Sequence, residues 1–290
     1  MLDFIINPIA GGKNGKKIQK TILVIETVLK QKNIEYTIHS TTHKGHAKEL
    51  VAHLTDNGAT DIIVVGGDGT LHEVINGFTD FEKVNLGLIP CGTGNDFAQA
   101  VNIPLNPEKA LDIILNNKPQ YTDFMQMPTV RGMNVIGTGI DVDVLKRYES
   151  LKKKTKFGYT LCLIKTLFNF EYTSFKAEID GEQSEYRSFI AAVANGPVFG
   201  GGLAICPTAK PFDKELNFVA VKEMKLLGII RAFIKLKKGK LLTLKQTTEK
   251  PFKHIKITTE KPCTVNVDGE LYEDIPFEVQ IVSNKLKMYR

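Results

Sequence analysis

The sequence predicts two domains. An α/β domain with a mainly parallel sheet and helices on both faces is expected over residues 1–127. A β-rich, largely antiparallel, sandwich-like domain is expected over 128–282, with the last residues, about 283–290, returning to the first. Three observations lead there. Short apolar runs alternate with helical stretches as far as Asn116, the pattern of βαβ units. Two of those runs end in glycine-rich turns that lead into helices, at 61–73 and 85–98. From Tyr121 onward the texture changes to alternating stretches with few long helices, the pattern of an antiparallel sandwich.

The chain is organised around DIIVVGGDGTLHE at 61–73. Asp61-Ile62-Ile63-Val64-Val65 is an apolar, β-branched run suited to a strand buried on both faces. Gly66, Gly67 and Gly69 suggest backbone conformations that a Cβ would forbid. Thr70 and Glu73 have the spacing of a capping box. Strand, turn and helix start would aim backbone N–H groups at a phosphate, assisted by the positive end of the helix dipole. Asp68 places a carboxylate among them, which implies a cation such as Mg²⁺ beside the phosphate. A tight turn that binds nothing would need neither the three glycines nor the acid.

Taken in order, Asp3 to Asn7 reads as the first strand. The loop that follows, Pro8 to Lys17, fails as a Walker A motif, because Ala10 replaces the first glycine and Lys17 the Ser/Thr. It has two readings, a phosphate contact through Lys13 or Lys16, or a solvated basic loop. A helix from Ile18 to Gln31, a strand from Ile34 to His39 and a helix ending at Asn57 precede the central stretch. Asn85 to Pro90 is another buried strand, leading into Cys91-Gly92-Thr93-Gly94-Asn95-Asp96, where Asn95 or Asp96 can cap the next helix. In parallel sheets ligands sit beyond the carboxyl ends of the strands. Both glycine loops belong to that edge and can converge on one nucleotide.

In the second domain strands are expected at Thr122 to Met127, Asn134 to Gly139, Phe175 to Ile179, Ser188 to Ala194, Leu216 to Val221 and Phe252 to Thr259. Asn195 to Gly202 is a glycine-rich loop that either closes over a ligand or joins strands. Thr264 to Tyr272 reads as a hairpin around Asp268-Gly269, with Glu270 just past the turn, where a carboxylate is ordinarily solvated.

Composition narrows the partners. The 290 residues are 42% hydrophobic, enough for real cores, and carry a formal charge of +6. Four widely spaced cysteines offer neither a zinc site nor a disulfide framework. Met1 to Asn7 lacks a basic leader, and no apolar run approaches membrane-spanning length. A cytoplasmic protein that meets membranes only peripherally is therefore expected. One basic stretch holds Lys146, Arg147, Lys152, Lys153, Lys154, Lys156 and Lys165, and a second runs from Lys222 to Lys245. In the second, Leu226, Ile229, Ile230, Phe233 and Leu236 fall on one helical face and Arg231, Lys235 and Lys238 on the opposite one. This suits packing on the sheet, and also an anionic membrane surface facing the cations. No regular aromatic–basic interleaving accompanies these runs, so nucleic acid is not expected.

GGDGT at 66–70, GTGNDFA at 92–98, GPVFGGG at 196–202 and NVDGE at 266–270 together make the chain resemble the bacterial soluble diacylglycerol kinase and related lipid kinase family. GGDGT alone also occurs in NAD kinases and phosphofructokinases. The resemblance implies an ATP- and Mg²⁺-dependent lipid kinase of two domains with the nucleotide between them. It places ATP on Thr41, Gly66, Gly67, Asp68, Gly69, Thr70, Leu71, His72 and Thr93, with Asn7, Gly12 and Lys13 contributing from the first loop. Asp68 and Asp96 match acids that organise Mg²⁺ and phosphates, and Glu270 matches the proposed general base. A structural Mg²⁺ is implied on the Lys210 carbonyl, the Asp213 carboxylate and the Glu215 carbonyl. The chain departs from the family pattern at His72, usually Asn, and at Lys214, usually Gly. The implied acceptor is a lipid alcohol, most simply diacylglycerol, met at a peripheral anionic membrane surface, with a homodimer left open. The rival readings are an NAD kinase or other small-molecule kinase, and a non-catalytic nucleotide- or lipid-binding regulator.

Overall fold

A computed structural model describes residues 1–12, 15–151, 156–167, 172–260 and 263–290. The chain forms two compact units, Met1–Asp123 with Ser283–Arg290, and Phe124–Val282.

The first unit runs β1 (Leu2–Ile6), α1 (Lys16–Gln31), β2 (Tyr36–Ser40), α2 (His46–Asp56), β3 (Asp61–Gly66), α3 (Asp68–Ile75), β4 (Asn85–Pro90), α4 (Asp96–Ala100) and α5 (Pro107–Asn116). Its strands lie in the order β2-β1-β3-β4, all parallel. Ile62 to Val65 are inaccessible to solvent, as their apolar, β-branched run requires of a strand covered on both faces. The helices cover the sheet with stripes at helical spacing, Ile18, Ile25 and Leu29 in α1 and Ala110, Leu111 and Ile114 in α5.

The chain crosses to the second unit within β5 (Gln120–Gln126). There follow β6 (Arg131–Gly132), β7 (Val135–Gly139), α6 (Ile140–Glu149), α7 (Lys156–Leu167), β8 (Thr173–Ile179), β9 (Glu182–Ala194), β10 (Leu216–Lys222) and α8 (Leu226–Lys237). A 3-10 turn (Leu241–Thr243) precedes β11 (Thr247–Phe252), β12 (His254–Thr259), β13 (Val265–Val267), β14 (Glu270–Tyr272) and β15 (Phe277–Met288). Strands β7 to β14 pair antiparallel. The second half of β9, from Ser188 to Ala194, and most of β10 are buried on both faces, and the two-residue period sorts their side chains into separate cores. Ala192, Ala194, Val219 and Val221 meet residues from α6, α7 and α8. Ala191, Val193, Phe218 and Ala220 meet the second leaf, including Phe175, Ile179 and Ile255. The first half of β15 pairs antiparallel with β12, and its last residues pair parallel with β4, Lys287 opposite Asn85. Tyr289 then donates its hydroxyl to the Asp61 carboxylate, fastening this tail to the first unit.

Several local expectations change. α1 begins at Lys16 and β2 at Tyr36, each two residues from its expected start, because element ends are set by caps and pairing rather than by hydrophobic period. α6 and α7 are helices within a segment whose sequence texture favours strands. The residues 70 and 73 do not form a capping box. α3 starts at Asp68 with Gly67 as its cap residue and no side-chain cap. Glu73 instead reaches α2, accepting N–H bonds from Gly45 at 2.9 Å and Ala47 at 3.1 Å. It satisfies the N-terminus of a neighbouring helix rather than its own.

Candidate active site

The loops beyond β1, β3 and β4 meet at the carboxyl edge of the parallel sheet. None of Gly66, Gly67, Gly69, Gly92 or Gly94 has positive φ, so left-handed backbone does not explain these glycines. Close approach does, for the central pair. A Cβ on Gly92 would lie 2.5 Å from the Gly67 Cα, and one on Gly67 would lie 2.9 Å from the Gly92 Cα. The two glycine loops are stacked backbone on backbone, a contact no larger residue permits.

Side chains lock this contact. Asn7 donates to the Thr70 hydroxyl at 3.2 Å, and its carbonyl-side oxygen accepts from Ile9 N at 3.1 Å. Lys17 reaches the Gly92 carbonyl at 3.3 Å. That lysine stands where a Walker motif has its hydroxyl, and the sequence reading weighed Lys13 and Lys16 instead. Lys16 is exposed at the start of α1, and Lys13 lies outside the described residues. Asn95 does not cap α4 with its side chain. It folds back to accept from Gly92 N at 2.8 Å and donate to Gly92 O at 3.0 Å. The α4 terminus is served from a distance: the Asp68 carboxylate accepts from Asp96 N at 3.2 Å and Phe97 N at 3.3 Å. Asp68 therefore has a use besides metal and phosphate, which the sequence alone did not disclose.

The other expected nucleotide residues divide. Gly12 and Thr93 are exposed. Thr41 is buried and held by its N–H on the Ile6 carbonyl at 2.9 Å. Leu71 and His72 are 2% and 4% exposed. Their side chains belong to the interior of the unit, so His72 in place of the usual Asn alters the core. Asp96 is buried at the start of α4.

In the second unit the hairpin has the expected form. Val265–Val267 pairs with Glu270–Tyr272, and Asp268 and Gly269 have φ of 54° and 97°, a turn of the type Asp-Gly favours. The Asp268 carboxylate accepts three backbone N–H bonds, from Met133 at 2.6 Å, Asn134 at 2.8 Å and Val135 at 3.0 Å. The turn that aims Glu270 is thus pinned to the strand beside it, and Glu270 itself is half-buried.

Asn266 carries the connection inward. It accepts from Gly269 N at 2.8 Å and donates to the Asp141 carboxylate at 3.0 Å. Asp141 is a functional candidate that the sequence reading missed. Room for it comes from Gly137, where a Cβ would sit 2.7 Å from Asp141 Oδ2. Its Oδ1 has no hydrogen-bond partner among the described residues, and burial pushes its carboxyl up to about 6 against the pull of Asn266. Among the described residues, Asp141 is the one polar side chain lining an apolar cavity of about 30 Å³, space for a water molecule. Phe189, Ile229 and Phe233 contribute to its walls, as do Phe199 and Leu203. The last two face each other across Gly200, Gly201 and Gly202, all with positive φ. The 196–202 loop therefore turns tightly and lines the cavity.

The expected structural metal loop holds one carboxylate and two carbonyls, donors of the kind Mg²⁺ takes. Asp213 Oδ1 accepts from Glu215 N at 3.2 Å, and the Lys210 carbonyl accepts from Phe212 N at 2.7 Å. Lys214 has φ of 66°. This is the conformation that explains a family glycine there, and Lys214 adopts it, so the departure leaves the loop shape intact. Among the described residues no group of three or more His, Cys, Asp or Glu gathers to hold a metal.

These features match known proteins along the whole chain. Residues 2–127 match the diacylglycerol kinase catalytic domain, and residues 134–290 match the YegS C-terminal NAD kinase beta sandwich-like domain. The chain belongs to the diacylglycerol kinase-like family that this pair of domains defines. A Bacillus subtilis (strain 168) protein named "Putative lipid kinase YtlR" is 27% identical, with 98% of each chain covered. A solved structure titled "Crystal structure of a putative diacylglycerol kinase from Bacillus anthracis str. Sterne" aligns with a TM-score of 0.81 at 26% identity, covering 99% of this chain and 96% of that one. An NAD kinase from Archaeoglobus fulgidus, solved in complex with ATP, aligns with a TM-score of 0.56 at 14% identity, covering 100% of this chain and 94% of that one. At that identity the likeness concerns the fold alone.

Proposed function

We propose that the protein transfers the γ-phosphoryl group of ATP to a lipid hydroxyl, with diacylglycerol the acceptor and phosphatidic acid the product. The observation that carries this is the backbone-on-backbone stacking of GGDGT on GTGND, Gly67 against Gly92, in a chain that follows the lipid kinase family from end to end.

Phosphoryl transfer proceeds through a loose transition state, so the protein's work is to position groups and offset charge. Backbone N–H groups of the loops at 67–69 and 93–94 receive the phosphates, and Lys17 adds positive charge at their junction. Asp68 and Asp96 would hold Mg²⁺, which offsets phosphate charge when bound. Glu270 takes the proton from the acceptor hydroxyl as the new bond forms. We place the protein in the cytoplasm, working at the membrane surface.

The test is ATP turnover against dispersed lipid alcohols, with diacylglycerol and phosphatidylglycerol in separate arms and NAD in a third. Diacylglycerol should be turned over fastest. Turnover of NAD alone would move the protein to the small-molecule kinases, and turnover of none would favour a binding protein. Glu270→Gln keeps size and hydrogen bonding, so kcat should fall about 10²–10⁴ while ATP binding is spared. A Glu270→Gln enzyme with unchanged kcat, where chemistry limits turnover, would place the base elsewhere, with Asp96 next in line.

A further inference from the structure

Helix α8 is apolar around more of its circumference than the unit covers. Ile229 and Ala232 are buried, and Phe233 and Leu236 pack partly against the same core. Leu226, Leu227, Ile230 and Ile234 are 44%, 82%, 37% and 47% exposed. The expectation that Leu226 and Ile230 pack on the sheet is therefore corrected: the buried face is narrower than the apolar arc, and about a quarter-turn of large aliphatic side chains faces outward. At 100° per residue those four side chains form one contiguous stripe. Four adjacent exposed aliphatics on one helix are unlike the scattered ones of an ordinary surface.

Cations border the stripe. Lys222, Lys225, Arg231, Lys237, Lys238 and Lys240 are exposed around it. The one acid of this stretch, Glu223, is occupied by Arg187 at 3.0 Å. Large aliphatics flanked by Lys and Arg are the composition of a helix lying in a membrane interface, its apolar side in the acyl boundary and its cations among anionic headgroups. A second copy of the chain fits this surface less well, because pairing α8 with itself would bring the same cations face to face.

We infer that α8 docks the protein on anionic phospholipid bilayers by inserting Leu226, Leu227, Ile230 and Ile234. The cations hold the headgroups, so attachment is part apolar and part electrostatic. The inference rests on the reading of the acceptor as a membrane lipid, and it names the surface by which that acceptor is reached.

The experiment is vesicle co-sedimentation of the full chain with phosphatidylglycerol/phosphatidylcholine vesicles and with phosphatidylcholine alone, across a salt series. Wild type should bind the anionic vesicles and keep a salt-resistant fraction. The double variant Leu227→Gln, Ile234→Gln should lose roughly tenfold or more in vesicle affinity. The double variant Arg231→Glu, Lys238→Glu should bind weakly and lose its preference for anionic lipid. All altered side chains are exposed or border solvent, and unchanged melting curves would verify folding. Turnover should fall for acceptor presented in vesicles and hold for acceptor dispersed in detergent micelles. Wild-type affinity from Leu227→Gln, Ile234→Gln would overturn the docking. So would a dimer in sedimentation velocity that this variant abolishes, since α8 would then be a subunit interface. Vesicle binding is read without turnover, so failure to phosphorylate any lipid would defeat the kinase reading and leave the docking result standing.

Discussion

Asp68 has one visible role and one proposed role, and replacing it by alanine or by asparagine separates them. The visible role is to cap α4, with bonds of 3.2 and 3.3 Å from Asp96 N and Phe97 N. Losing such a cap costs about 1–2 kcal/mol, which for a chain of this size lowers the melting temperature by roughly 2–8 °C. Asp68→Ala should show that loss in the absence of nucleotide. Asn offers one acceptor oxygen where Asp68 uses both, so Asp68→Asn should keep one of the two bonds and lose less stability than Asp68→Ala. The proposed role depends on charge, which asparagine lacks. Asp68→Asn should therefore lose roughly 10²–10³ in kcat with Mg²⁺ and ATP saturating. Melting by circular dichroism and turnover of dispersed diacylglycerol read the two roles independently. If Asp68→Asn kept wild-type kcat, the carboxylate would be a helix cap only, and the assignment of metal and phosphate to it would be withdrawn.

Gly92→Ala should lower stability by about 1–3 kcal/mol and weaken protection by ATP in thermal melts, because its Cβ would lie 2.5 Å from the backbone of Gly67 and neither loop can yield by rotating a side chain; wild-type protection would show that the loops part without cost. Asp141, pushed up to about 6 from 3.8 by burial, binds its proton more tightly folded than unfolded, so stability is gained as pH falls through 6 and lost as pH rises through it. The full effect is at most about 3 kcal/mol; Asp141→Asn should gain on wild type between pH 5 and pH 8, and parallel stability curves would refute the assignment. EDTA should lower the melting temperature of wild type and leave Asp213→Ala unaffected if the 210–215 loop holds Mg²⁺, since a ligand of the folded state stabilises by mass action; equal sensitivity would remove the site.

Much of the fold could be read because its signals are local. β3 and β4 follow from uninterrupted apolar runs, and the β13–β14 hairpin follows from Asp268-Gly269, whose φ values only a few residue types accept readily. What could not be read depends on approach in space. Thr70 and Glu73 have the spacing of a capping box, yet Glu73 serves α2, because the distance from α3 to α2 is a tertiary fact. The glycines were legible as special and misread as to cause, since sequence does not distinguish a positive-φ glycine from one with another backbone against it. α6 was hidden by Ile140-Asp141-Val142-Asp143-Val144, which alternates as a strand does. The same alternation concealed Asp141, whose significance lies in its burial.

The stretch from 66 to 73 is more constrained by the fold than its phosphate-loop character suggests. Gly67 receives the backbone of Gly92, Thr70 receives the Asn7 amide, Asp68 caps α4 and Glu73 caps α2. One short helix and its turn therefore tie β1, α2 and the loop after β4 together. Each tie uses a polar group or a missing side chain, and each such group is also what a nucleotide site would use. A residue here can then be fixed by the fold, by the chemistry, or by both, and loss of activity on deletion does not say which. The two demands differ in what they need from an atom. Capping and close approach need shape and a hydrogen-bond acceptor, whereas holding Mg²⁺ and phosphate needs charge. Substitutions that keep shape and remove charge, read beside a measurement of stability as for Asp68→Asn, are the ones whose effects on this stretch can be assigned to chemistry.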